Sequence, residues 1–170
     1  VSFSYGANYT TANEFPNSGT IGSLTTTGAA TLTLKTATIT IADAAITTVS
    51  TLNLGGNTVT VTTSAASRTH LFGGNVTNGT LAFSMTGNTA RTHTLNGAFA
   101  LPTVTVTSSG DNPHTLAIAQ ITAITGTLTV SGNAIVTMNN AFVTLGTLGF
   151  TGNVLTHSGT GTVAVGGTTT

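Results

Sequence analysis

"GTLTVSGN" runs from Gly126 to Asn133, and "GTLGFTGN" from Gly146 to Asn153, twenty residues further on. A third copy of the phrase, "STLNLGGN", occupies Ser50 to Asn57. Each phrase is an apolar–x–apolar unit followed by a Gly-Asn pair. The unit is too short for an amphipathic helix and has a period of two, so it reads as a short strand with two side chains pointing inward. Further units of this kind stand at Leu32/Leu34, Ile39/Ile41, Val59/Val61, Leu81/Phe83, Val104/Val106, Leu116/Ile118 and Val163/Val165.

The spacing decides what the strands build. Leu32 to Leu52 and Leu128 to Leu148 are both 20 residues apart. Between them lies a second phrase, Ile46-x-x-Val49-x-x-Leu52, repeated in looser form at Ile121-x-x-Ile124 and Phe142-x-x-Leu145. One period therefore holds about three short strands, which is the signature of a solenoid coil with three faces. The expected fold is all-β: a single-domain parallel β-solenoid, or β-helix, with coils of about 20 residues. The rival is an antiparallel β-sandwich with an N-terminal donor strand, whose strands would also alternate between turns.

Within the solenoid reading, Thr31, Thr51, Thr80, Thr103, Thr127 and Thr147 each precede a main unit and are expected to stack as one threonine ladder. The pairs Gly56-Asn57, Gly87-Asn88, Gly132-Asn133 and Gly152-Asn153 are expected at corners, because Gly and Asn tolerate left-handed backbone. Residues 64–100 stretch the period and are read as one coil with an inserted loop. Residues 1–19 hold four of the nine aromatics, and Val1, Phe3, Tyr5 and Ala7 alternate with small residues. They are read as a separate aromatic strand, a cap or donor strand, ahead of a solenoid domain over 20–170.

The composition agrees. Of 170 residues, 43 are Thr and 21 are Gly, while charged residues make up 4%. Thr with Val, Ile and Leu favours pleated, half-buried backbone. Three Lys/Arg balance three Asp/Glu. Nucleic-acid binding and polybasic lipid binding therefore lack their electrostatic footprint. Membrane insertion through a helix lacks its long apolar run. The absence of Cys removes disulfides and thiolate metal sites. A chain starting at Val1 reads as a processed or excerpted extracellular chain.

"GTLTVSGN" and "GTLGFTGN", with the looser "STLNLGGN" and "GTLAFSMTGN", resemble the autotransporter-associated β-strand repeat of bacterial surface adhesins. The resemblance implies a right-handed parallel β-helix displayed outside a cell, as a stalk, adhesin or fibre. The membrane barrel of that family has no counterpart here.

Catalytic chemistry finds no support. Glu14, Asp43 and Asp111 stand on separate segments, and paired-carboxylate catalysis needs two that converge. Asp111 sits in the turn sequence "SSGDNPH". His70, His93, His114 and His157 share no zinc-like spacing. His70 and His93 occur in "SRTHLF" and "ARTHTL", an echo of the repeat or a local anion contact. No cofactor or metal is expected, and the chain reads as a non-enzyme.

Asn8, Asn75 and Asn78 head N-x-Thr sequons and are the expected acceptors if covalent glycan is present. The leading expectation is an extracellular structural subunit of a filament or surface fibre. Its partner is itself, a homopolymer joined head to tail by strand edges, with Val1, Phe3, Tyr5, Ala7, Val163 and Val165 at the junction. The alternative is a surface adhesin for glycan, a host surface or ice. Outward pairs such as Thr38/Thr40, Thr58/Thr60 and Thr127/Thr129 suit an ice-binding array, although Asn53, Ala82 and Gly149 interrupt it.

Overall fold

The computed structural model of the chain describes residues 2–3, 7–11, 18–28, 30–35, 38–97, 99–139, 144–151, 154–157 and 164–165. It is an all-β solenoid of about 6 turns with ~22-residue coils, and every strand pair in it is parallel. Three faces recur in the first four coils. The first stacks eight strands, from Ser2–Phe3 to Val154–His157. The second stacks Tyr9–Thr10, Leu32–Thr33, Leu52–Asn53 and Val76–Thr77. The third carries nine, including Thr38–Ala42, Thr58–Thr63, Thr80–Thr86, Thr103–Ser109, Ala123–Gly132 and Thr144–Thr151.

Strand alternation builds the core. On the third face Ile39, Val59, Leu81, Val104 and Leu128 stack as one buried column, with Ile41, Val61, Phe83, Val106 and Val130 as a second beside it. Burial of each such side chain contributes about 1.5–3 kcal/mol. The columns span five coils, so each of these coils is sealed by its neighbours rather than by itself.

Beyond Val76–Thr77 the second face merges into the third. Ala100–Leu101 pairs with Ala123 and Ile124, which open the long strand Ala123–Gly132. The corner survives in that strand as a register shift between Ile124 and Thr127. Gly126 lies inside this shift, where a Cβ would come within 2.4 Å of the Thr103 hydroxyl oxygen, so the bend requires glycine.

Two expectations change. Within residues 1–19, the strands Ser2–Phe3, Tyr9–Thr10 and Ser18–Ile21 belong to the first rung of the solenoid rather than to a separate tail. Ser2–Phe3 pairs with Thr25 and Thr26, Tyr9–Thr10 with Leu32 and Thr33, and Ser18–Ile21 with Thr38–Ile41. Residues 64–100 are not a coil with a loop: strands Arg68–Phe72, Val76–Thr77 and Thr80–Thr86 complete one coil, and Thr92–Asn96 begins the next. The coils are close to the expected length of about 20, at ~22 residues, and strand partners lie from 19 residues apart (Val136 and Leu155) to 25 (Arg68 and His93). Val49 of the second phrase is half exposed, at the corner after Ile46–Thr48.

Three of the four Gly-Asn pairs lie at corners among the described residues, but not at one and the same corner. Gly56-Asn57 turns from the second face to the third, while Gly87-Asn88 and Gly132-Asn133 turn from the third to the first. The glycines have φ of 81°, 112° and 67°. Asn57 Nδ2 donates to Leu54 O at 2.7 Å, and Asn133 Nδ2 donates to Gly110 O of the preceding coil at 2.8 Å. The asparagines thus satisfy corner carbonyls that no strand reaches. Gly152 and Asn153 lie outside the described residues.

Candidate functional site

Two arrangements stand out from the ladders: a hydroxyl lattice outside the third face, and a histidine chain inside the coil.

The lattice follows from the same alternation as the core. With Val, Ile and Leu inward, the intervening threonines must point outward. Thr38, Thr58, Thr80, Thr103, Thr127 and Thr147 form one column. The next holds Thr20, Thr40, Thr60, Ala82, Thr105, Thr129 and Gly149. A third holds Thr62, Ser84, Thr107, Ser131 and Thr151. Neighbours sit about 4.8 Å apart along the axis and about 6.6 Å apart along a strand. Thr107 Oγ1 and Ser131 Oγ are 3.0 Å apart, so the third column bonds within itself.

The threonine ladder therefore exists with different members at one end. Thr80, Thr103, Thr127 and Thr147 belong to it, but Thr31 and Thr51 flank the second-face strands instead. Thr38 and Thr58 take their places. Sequence spacing alone could not separate them, since Leu32/Leu34 and Ile39/Ile41 are the same word written on two faces.

The histidine chain crosses the interior where the third face turns into the first. His70, His93 and His114 are fully buried. The Ile46 N–H donates to His70 Nδ1 at 3.1 Å. That nitrogen is then an acceptor, so the proton of His70 sits on Nε2, which lies 2.7 Å from His93 Nδ1. His93 Nδ1 accepts in turn, and its Nε2–H donates to Thr63 Oγ1. His114 repeats the pattern, accepting the Arg91 N–H at Nδ1 and facing Gly87 O from Nε2. The backbone donors at Ile46 and Arg91, and the His70 ring in the case of His93, thus place the ring proton on Nε2.

The surroundings agree with neutrality. Burial, reinforced by the neighbouring His93 and Arg68, pushes the His70 pKa down to about 3. Burial likewise pushes His93 down to about 4; Arg68 and His114 add to this, and Asp43 opposes it. His70 and His93 stack with centroids 5.0 Å apart, and Phe83 closes the cluster edge-on to His70 at 5.4 Å. The two "RTH" words are not equivalent rungs: Arg68 pairs with His93, two residues out of phase, which sets the rings diagonally within reach of each other.

The remaining sequence candidates are scattered. Asp43 caps the next corner: its carboxylate accepts the Ser64 and Ala65 N–H groups at 2.8 and 3.0 Å, bonds that hold its pKa below the ordinary carboxylate value. Asp111 is exposed. Glu14 lies outside the described residues, as do Val1, Tyr5 and Val163 of the expected junction. Phe3 pairs with Thr26 in the first rung, Val165 with Leu145 in the last, and Ala7 is exposed. Among the described residues, no group of three or more His, Cys, Asp and Glu could hold a metal ion. Asn8, Asn75 and Asn78 are all exposed. The Oδ1 atoms of Asn8 and Asn75 accept backbone N–H groups of neighbouring coils, at Thr31 and Ala100, both at 3.0 Å. Asn78 stands at a corner with φ of 53°.

No protein-family model matches the chain, no curated protein matches it, and no solved structure matches it.

Proposed function

We propose that the chain is a structural rod: a subunit of an extracellular filament or surface fibre, built by stacking coils. The observation that supports this best is the parallel strand pairing that runs from Ser2–Phe3 to Ala164–Val165. The outermost described strands carry no charged residue and no Pro of the kind that blunts an edge, and such edges can take up a further strand. A nearly ion-free surface adds no repulsion between copies. The likeness of the repeated phrase to adhesin repeats fits display outside a cell. Negative-stain microscopy of the purified chain is expected to show unbranched fibres that lengthen with concentration. A monodisperse particle at every concentration would sink the reading.

The regular, ion-free hydroxyl lattice of the third face favours a second reading, adhesion to ice. Its threonines offer methyl and hydroxyl groups at regular two-dimensional spacing. Thr60→Lys and Thr105→Lys would place charges in the middle column. In a thermal-hysteresis assay the unaltered chain should depress freezing and the double variant should not; no hysteresis from the unaltered chain excludes ice.

A further inference from the structure

The sequence holds two Asn-Gly bonds, Asn78-Gly79 and Asn96-Gly97. Both are open in principle to one intramolecular reaction, because glycine has no side chain to shield the amide nitrogen that follows the asparagine. The fold treats the two oppositely.

Asn78 is exposed, at the corner between Val76–Thr77 and Thr80–Thr86. With φ of 53° it is one of two non-glycine residues with positive φ among those described; Asp43 is the other. The Asp43 carboxylate is engaged by the Ser64 and Ala65 N–H groups. Nothing comparable holds Asn78. Its carbonyl accepts the Gly56 N–H at 2.6 Å, but its side-chain amide has no hydrogen-bond partner among the described residues, and neither has the Gly79 N–H. The electrophile, Asn78 Cγ, and the nucleophile, Gly79 N, are thus adjacent and uncommitted at a corner that water reaches. Asn75, three residues earlier, is tied down, because its Oδ1 accepts the Ala100 N–H.

Asn96 ends the strand Thr92–Asn96, paired with Leu71, and its Oδ1 is buried. Gly97 is pressed on the preceding coil, where a Cβ would lie 2.2 Å from Phe72 O. Closing a ring at Asn96 would pull it out of its rung.

We propose that Asn78-Gly79 is a site of spontaneous self-modification, closing to a succinimide and opening to aspartate and isoaspartate, while Asn96-Gly97 stays intact. Gly79 N gives its proton to water or hydroxide and bonds to Asn78 Cγ. The Cγ–Nδ2 bond breaks, and the amide takes up a proton and leaves as ammonia. Water then adds to one of the two imide carbonyls. Opening at Cγ gives aspartate; opening at the backbone carbonyl leaves the chain running through Cβ and Cγ as isoaspartate. The net change converts one amide and one water to one carboxylate and one ammonium.

Isoaspartate lengthens the corner by one backbone atom, and the corner has no slack. A Cβ on Gly79 would already lie 2.4 Å from Asn57 O and 2.6 Å from Leu54 Cβ. Val76–Thr77, the last strand of the second face, pairs with Leu52 and Asn53 alone and is the element expected to loosen. The site lies within one copy, so it is independent of the rod reading.

The test incubates the full, unglycosylated chain at pH 8 and 37 °C and maps it by peptide mass spectrometry, where each conversion adds about 1 Da. Conversion at Asn78 should exceed that at Asn96 about tenfold, which a barrier difference of about 1.4 kcal/mol supplies. Isoaspartate should be among the products at Asn78. In urea above the unfolding midpoint the two sites should convert at similar rates. The isoaspartyl form, separated by its added charge, should have a lower urea midpoint than Asn78→Asp, which carries the same charge on an unaltered backbone. Equal conversion of the two sites in the folded chain overturns the proposal. So do a preference for Asn78 that urea leaves unchanged, aspartate without isoaspartate, or an isoaspartyl form as stable as Asn78→Asp.

Discussion

Acidification from pH 6 to pH 4.5 is expected to lower the unfolding free energy by about 3–4 kcal/mol through His70 and His93 alone. Both rings have folded-state pKa values lowered from 6.5, to about 3 and about 4. In the unfolded chain they take up protons below pH 6.5, while in the fold they stay neutral until pH approaches 4. The unfolded state therefore binds more protons throughout that window, and stability falls as pH falls. The contribution is fully present above pH 6.5. Well below it the slope approaches about 1.4 kcal/mol per pH unit for each ring.

Neutrality is held by geometry as well as burial. Protonating His70 at Nδ1 would set a second N–H against the Ile46 N–H, and protonating His93 at Nδ1 would set one against His70 Nε2–H. The charged groups nearby divide: Arg68 and His114 oppose a cation on His93, whereas Asp43 favours it. Asp43 itself titrates below its ordinary carboxylate value, so its own loss of stability comes at lower pH than this window. Urea midpoints measured across pH 7 to 4.5 should trace the slope, and the double variant His70→Leu/His93→Leu should flatten it. An unaltered chain with no slope, or a double variant with the same slope, would contradict the chain as drawn.

Phe83→Ala should cost about 3–5 kcal/mol, the largest effect expected of a single truncation in the core. Phe83 is 1% exposed and sits in a column between Val61 and Val106, so the rungs above and below fix the space it leaves. In a solenoid that space cannot collapse without breaking register on both sides. The ring also covers both imidazoles. Its removal admits water to them, returns their pKa values toward 6.5, and should make the acid slope shallower. Phe83→Leu keeps most of the volume and should lose less than half as much. Denaturant melts at pH 7 and pH 5 read both effects. A loss under about 1 kcal/mol for Phe83→Ala would mean that the ring is not packed as described.

The coil is legible in the sequence because its demands are local. Val59/Val61, Leu81/Phe83 and Val104/Val106 announce their strands by a period of two, and all of them face inward. Gly132-Asn133 announces a corner because few other residues take its backbone conformation. Register is less legible. Leu32/Leu34 and Ile39/Ile41 satisfy the same local demand, so nothing short of the pairing shows that they lie on different faces. That is why Thr31 and Thr51 leave the ladder. Corners that absorb from 19- to 25-residue spacings hide the coil between Arg68 and Thr86 behind an apparent loop.

The histidines were hidden for a related reason. His70 follows Thr69 and precedes Leu71, and that alternation alone marks Leu71 as the apolar member of the strand. The structure reverses this: His70 is buried and Leu71 half exposed. A partner on the next rung, two residues out of phase, together with the backbone donor at Ile46, makes the buried imidazole tolerable. Neither is visible along the chain.

Fibre diffraction from a concentrated, shear-aligned specimen tests the central claim most directly. If coils stack in parallel register within each copy and on into the next, the strands lie across the fibre, and a sharp meridional reflection near ~4.8 Å is expected. Fibres that align yet lack that meridional reflection, or that place it on the equator, would contradict the account.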